Sequence, residues 1–169
     1  MKSFYNKLIQ VFSAETTKDL YRSKGIECPK FIDIYAGQDY DSESFEIYPM
    51  PAIFVNWNID HRQKPALATV TFRLCYEQLR DTSSLGKNTA EALKFIDFIE
   101  ITDDILTKIE SECTGKLTTA TEEITLEPIV VDQYILTYTC SFIRKAREQV
   151  TGTVENIKIK SGLYASVLG

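Results

Sequence analysis

Thr69-Val70-Thr71-Phe72-Arg73-Leu74-Cys75-Tyr76 is the stretch that decides the fold. Val70, Phe72, Leu74 and Tyr76 alternate with Thr69, Thr71, Arg73 and Cys75, the two-residue period of a strand with one buried face. Upstream, Ile53, Val55 and Trp57 alternate with Phe54 and Asn56. Only residues 58–66 separate the two runs, too few for a parallel crossover, so they predict an antiparallel hairpin. Downstream, Ala120, Ile124 and Leu126 stand against Thr119, Thr121, Glu123, Thr125 and Glu127. Tyr134, Leu136, Tyr138, Cys140 and Phe142 then stand against Thr137, Thr139 and Ser141. The short connection at 127–132 predicts a second hairpin.

Between the hairpins the period changes. Phe95, Ile96, Ile99, Leu106, Ile109 and Cys113 line one face of a long amphipathic helix, with Asn88 and Glu91 spaced as a capping box and Gly115 as its stop. Phe98, Ile101 and Ile105 widen the apolar face beyond what one sheet requires, which calls for a second contact, either the N-terminal helix or another subunit. That N-terminal helix covers residues 3–24, where Phe4, Leu8, Val11, Phe12 and Leu20 share a face. Gly25 ends it, and Thr16 or Thr17 offers a cap for a break within it.

The expected class is therefore α+β: an antiparallel sheet of two hairpins packed on a long central helix and an N-terminal helix, in the order α-β-β-α-β-β. Residues 1–143 form one domain with a long connection at 26–52, which holds Pro29, Pro49 and Pro51 and one candidate short strand at 31–35. Residues 144–169 form a C-terminal extension or arm. Within it, Val154, Ile157 and Ile159 alternate with polar residues, suiting a last strand or an arm that adds to a neighbour's sheet edge.

At 169 residues and 44% hydrophobic content the chain suffices for a single core. The formal net charge of -5 gives no general attraction for nucleic acid. The charge is uneven: Arg144, Lys145, Arg147, Lys158 and Lys160 outnumber Glu148 and Glu155, so residues from 144 onward are basic and the remainder is acidic. No run reaches the ~20 apolar residues of a membrane span, and residues 1–10 lack a signal-type apolar core, so a soluble, intracellular protein is expected. Cys28, Cys75, Cys113 and Cys140 show no Cys-x-x-Cys spacing and read as free thiols.

Motifs for chemistry are sparse, and no cofactor or metal is expected. His61 is the single histidine, next to Asp60, but neighbours in sequence rarely face one another as base and orienting carboxylate. Asp39, Asp41 and Glu43 lack the glycine and distal glutamate of a calcium loop and read as solvated loop acids. Asp103 and Asp104 diverge by ~100° on a helix. Ser84-Leu85-Gly86-Lys87 lacks the upstream glycine of a phosphate loop.

Taken together, the N-terminal helix, Pro51-Ala52-Ile53-Phe54-Val55, Ala68-Thr69-Val70-Thr71-Phe72-Arg73-Leu74, the long helix and Tyr134-Ile135-Leu136-Thr137-Tyr138-Thr139-Cys140-Ser141-Phe142 resemble tail-terminator or tail-completion proteins of tailed bacteriophages and prophages. The resemblance covers residues 3–143 and rests on element order and strand character. It implies a non-enzymatic homo-oligomeric ring, commonly a hexamer, that caps the tail tube and joins it to the head-side connector. It also implies partners among tail-tube and connector proteins, and a place in the virion after assembly in the host bacterial cytoplasm. The connection at 26–52 and the extension at 144–169 depart from the family pattern.

Under this reading Trp57, Asp60, His61 and Arg62 at the first hairpin, and Arg144, Lys145 and Arg147 at the start of the extension, are candidate contacts with other subunits or partners. Ordinary exposed surface is the alternative for each. Two other classes fit the same residues: a cellular adaptor or ligand-binding α+β domain with an apolar pocket, and a small enzyme in which Asp60, His61 and loop acids converge.

Overall fold

The computed structural model describes residues 1–40, 48–77, 81–125 and 132–144. The protein is mixed α+β. Three helices of two turns or more, α1 (Lys2–Ser13), α2 (Glu15–Ser23) and α4 (Lys94–Leu106), pack with the short α3 (Thr89–Ala92) on one face of a five-stranded sheet. The strands are β1 (Phe31–Ile34), β2 (Ala52–Asp60), β3 (Ala66–Cys75), β4 (Thr118–Ile124) and β5 (Gln133–Phe142), in the spatial order β1-β2-β3-β5-β4.

The alternation in β3 sets the layers. Ala68, Val70, Phe72 and Leu74 are fully buried toward the helices, as are Ile53 and Val55 of β2 and Leu136 and Tyr138 of β5. The helices contribute Phe4, Leu8 and Phe12 from α1, Tyr21 from α2 and Phe95, Phe98 and Leu106 from α4. Tyr21 packs on Phe98 with ring centroids 5.8 Å apart. The second contact of the wide helix is therefore α2, within the same chain. The Thr102 hydroxyl donates to the Phe98 carbonyl at 2.6 Å and so accepts from the Tyr21 hydroxyl at 2.8 Å, which satisfies both buried hydroxyls.

The expected antiparallel sheet is instead mixed. β1 runs parallel to β2, pairing Phe31 with Ala52 and Ile34 with Val55, while β2–β3, β3–β5 and β4–β5 are antiparallel. A parallel neighbour needs a long crossover; the connection expected at 26–52 supplies it, and its candidate strand at 31–35 is β1. Its described part lies over the sheet face opposite the helices, where Phe31, Tyr35, Tyr48 and Met50 cover Ala52, Phe54 and Cys75.

One buried carboxylate pins this connection. Asp39, expected as a solvated loop acid, is 6% exposed in a short 3-10 turn (Gln38–Tyr40). It accepts hydrogen bonds from the Tyr35 hydroxyl at 2.8 Å and the Gln133 amide at 3.0 Å. Arg73 lies 3.7 Å from the centroid of the Tyr35 ring and brings positive charge to the same cluster. Burying a carboxylate is tolerable only with partners of this kind. Asp41 and Glu43 lie outside the described residues.

Other boundaries shift for local reasons. The N-terminal helix breaks at Ala14, whose ψ of 138° is extended, with no side-chain cap from Thr16 or Thr17. The break changes the phase, so Tyr21 and Thr17 are buried and Leu20 is exposed. Gly25, at φ 65°, follows α2 as a left-handed stop. Asn88 makes no side-chain cap, and the central helix starts afresh at Lys94 after Leu93. It ends at Leu106, well before Gly115. Gly115 serves a different need: a Cβ there would stand 2.6 Å from the Ser141 hydroxyl, and its N–H donates to the Ser141 carbonyl at 3.0 Å. Ile96, expected inward, is half exposed.

β4 departs furthest from expectation. Ala120 and Ile124 were expected on a buried face, yet all seven residues of β4 are exposed. β4 is the edge of the sheet beyond the reach of the helical layer, and a register shift between Thr119 and Thr121 interrupts its alternation. Leu126, and the arm expected from residue 145 onward, lie outside the described residues.

The Asp39 cluster and the Tyr21 pair predict different losses. Asp39→Ala removes the acceptor for two donors and should lower unfolding free energy by about 2–3 kcal/mol in urea titration, with Asp39→Asn recovering part of it. Tyr21→Phe leaves Thr102 bonded to Phe98 and should cost only about 1 kcal/mol.

Candidate functional site

The end of the sheet where β2 and β5 run out carries a cleft of about 600 Å³. α1 supplies Ser3 and Asn6, β2 supplies Trp57 and Ile59, and Cys113, Phe142, Ile143 and Arg144 close the far side. Two of the expected contact residues, Trp57 and Arg144, meet here. His61 approaches from the β2–β3 turn and sets its ring edge-on to Phe142, with centroids 6.2 Å apart. Lys145 and Arg147 lie outside the described residues.

Asp60 and His61 do not form a catalytic pair. Arg62 takes the Asp60 carboxylate with its Nε at 2.9 and 3.0 Å and its terminal nitrogen at 2.6 Å, and its backbone N–H donates at 2.9 Å. These bonds hold the Asp60 carboxyl below its usual range and raise Arg62 above its own. The fork closes the β2–β3 turn, so its first role is to shape the hairpin end.

The sequence reading missed Cys113. Its sulfur accepts from the Ser3 hydroxyl at 3.0 Å and lies 3.4 Å from the Ser111 hydroxyl. Ser111 and Thr114 pair across the small loop that holds it, and Ile143 N–H donates to the Cys113 carbonyl at 2.9 Å. Burial works to raise this thiol, but the hydrogen bonds from Ser111 and Ser3 prevail and it falls below the ordinary value. The other three move the opposite way: burial pushes Cys28 to about 11 and Cys75 to about 12, and raises Cys140. All four are free thiols. Only the long-range pairing of 113 with 143 could have singled out Cys113, and no local spacing encodes it.

A second surface lies on the sheet face opposite the helices, beyond the part covered by the connection. Strand register aligns Asn58, Thr69, Thr139 and Thr118 in one rung and Asn56, Thr71, Thr137 and Thr121 in the next. Adjacent groups within a rung stand ~4.8 Å apart and the rungs ~6.7 Å apart. The result is an uncharged, hydrogen-bonding patch four strands wide. Arg73 marks one border, where its guanidinium donates to the side-chain amide oxygen of Asn56 at 3.3 Å.

Among the described residues no group of three or more His, Cys, Asp or Glu side chains is placed to hold a metal ion, and no helix is long and apolar enough to cross a membrane. The two surfaces are a cleft of mixed lining, with Trp57, Ile59 and Phe142 beside Ser3, Asn6 and Arg144, and a polar sheet face. In comparisons with known proteins, no family model matches the chain and no curated sequence matches it significantly.

The thiols give a direct check on the cleft. Iodoacetamide at pH 7.5 should label Cys113 first, with Cys28, Cys75 and Cys140 slower in the folded protein, read by peptide mass spectrometry. Because the Cys113 thiol is lowered, its labelling rate should level off at a lower pH than that of an ordinary thiol. Labelling should also change the emission of Trp57, the only tryptophan, which shares the cleft.

Proposed function

We propose that this protein is a non-enzymatic structural component of a phage or prophage tail, a ring-forming subunit that ends the tail tube and joins it to the head-side connector. The observation that carries the reading is β4, a strand seven residues long and exposed throughout at the edge of a sheet whose central strands bury one face against the helices. An edge left in that state invites pairing with another chain. The neutral sheet face beside it adds a surface suited to subunit packing. In this reading β2–β3 and β4–β5 are the two hairpins of an α-β-β-α-β-β unit, and β1 is an addition carried by the 26–52 connection. Trp57, His61 and Arg144 then sit at one end of the subunit, where a neighbour or connector protein would dock. The acidic body repels passing DNA. Assembly takes place in the host cytoplasm and the ring resides in the virion.

The cleft favours a second reading. A 600 Å³ hollow walled by Trp57, Ile59 and Phe142 is also of a size to hold a small ligand, as a cellular adaptor or ligand-binding domain would. Multi-angle light scattering with negative-stain microscopy separates the two. The ring reading expects a discrete closed oligomer, a hexamer by resemblance, at high protein concentration. A strict monomer at every concentration, with or without isolated tail tubes, would sink it.

A further inference from the structure

The β4 edge is specific enough to name what pairs with it. Past the register shift, Thr121–Ile124 regains a regular ladder with β5, placing Glu122 and Ile124 on the helix side and Glu123 on the opposite face. Ile124 is 63% exposed there, and Ile96 of α4 is 49% exposed. The Tyr134 hydroxyl donates to Glu122 at 3.0 Å. Glu123 makes no ion pair among the described residues. This edge carries acid on both faces and an uncovered isoleucine on one.

The complement stands in the sequence at 153–160: Thr-Val-Glu-Asn-Ile-Lys-Ile-Lys, bounded by Gly152 and Gly162. Here Ile157 and Ile159 fall on one face of an extended chain, and Lys158 and Lys160 on the other. We infer that residues 153–160 of a second copy add to β4 as a strand, setting Ile157 and Ile159 beside Ile124 and a lysine opposite Glu123. The inference rests on the self-assembling reading above and names its contact.

A neighbour's segment fits better than the chain's own. β5 ends at Phe142, at the Thr118 end of β4, where the 113–115 segment already pairs with residues 141–143. The chain's own extension would have to turn back round that occupied corner. Residues 145–152 can instead span up to about 26 Å away from it. Donor segment and acceptor edge are different surfaces, so the contact is head-to-tail and closes into a ring when the rotation between copies permits. Opposite charges facing across adjacent strands favour one register over its neighbours.

Three full-length variants test this by sedimentation equilibrium: Glu123→Lys, the pair Lys158→Glu and Lys160→Glu, and all three changes together. Each of the first two should weaken self-association about tenfold, and the combined variant should restore it. Circular dichroism and thermal unfolding of the dilute proteins guard against a folding defect; Glu123 itself is exposed. In wild type, hydrogen exchange should slow at 121–124 and at 153–160 as protein concentration rises. If the wild type forms rings but no variant alters their stability, the β4 contact is wrong and the ring reading stands. If the wild type is monomeric and both segments are protected independently of concentration, the chain's own segment occupies the edge, which overturns the second-copy contact and the ring reading alike.

Discussion

The burial of alternate residues of β3 is the constraint on which the rest of the molecule depends. β3 is hydrogen-bonded on both sides, to β2 across Ala52–Asp60 and to β5 across Gln133–Phe142. It presents Ala68, Val70, Phe72 and Leu74, all fully buried, to the helices. A slip of one residue in either ladder would turn Phe72 outward and bring Arg73 into the core. Truncating one such phenylalanine typically costs 3–5 kcal/mol, a large share of a domain's whole stability. Register is therefore held firmly at the centre of the sheet and loosens only toward the β4 edge, where nothing is buried.

That gradient explains what the sequence made legible. The strands β2, β3 and β5, which bury one face against helices, announce themselves by alternation, and the wide apolar face of α4 announces its second partner. β4 alternates less clearly, and its alternation misled: Ala120 and Ile124 have the right spacing but no layer above them. The parallel pairing of β1 was unreadable because four residues carry little pattern. Asp39 was unreadable because its donors, Tyr35 and Gln133, lie 4 and 94 residues away. A carboxylate in an acidic, aromatic loop looks solvated until its partners are found.

The same holds for the cleft. Trp57 and Arg144 were singled out as candidate contacts from the resemblance and from their places at the first hairpin and the start of the extension, and the fold brings them to one hollow because β2 and β5 run out at the same end of the sheet. Cys113 was passed over because its environment is built by Ser3, which is 110 residues distant, and by the small loop after α4. Asp60 and Arg62, by contrast, are close in sequence, and their fork is a local consequence of the β2–β3 turn.

The polar rungs across β2, β3, β5 and β4 have a consequence of a different kind. Their groups are hydroxyls and amides, so whatever lies against them is held by dipoles and shared water rather than by net charge. Contacts of that sort are hardly screened by salt, whereas carboxylate–lysine pairs at an exposed edge weaken as ionic strength rises. The sheet thus carries two kinds of surface, an acidic edge whose contacts would respond to the ionic medium and a neutral face whose contacts would not. An assembly using both would select partners by charge during encounter and keep its grip through dehydration or brine by the neutral face.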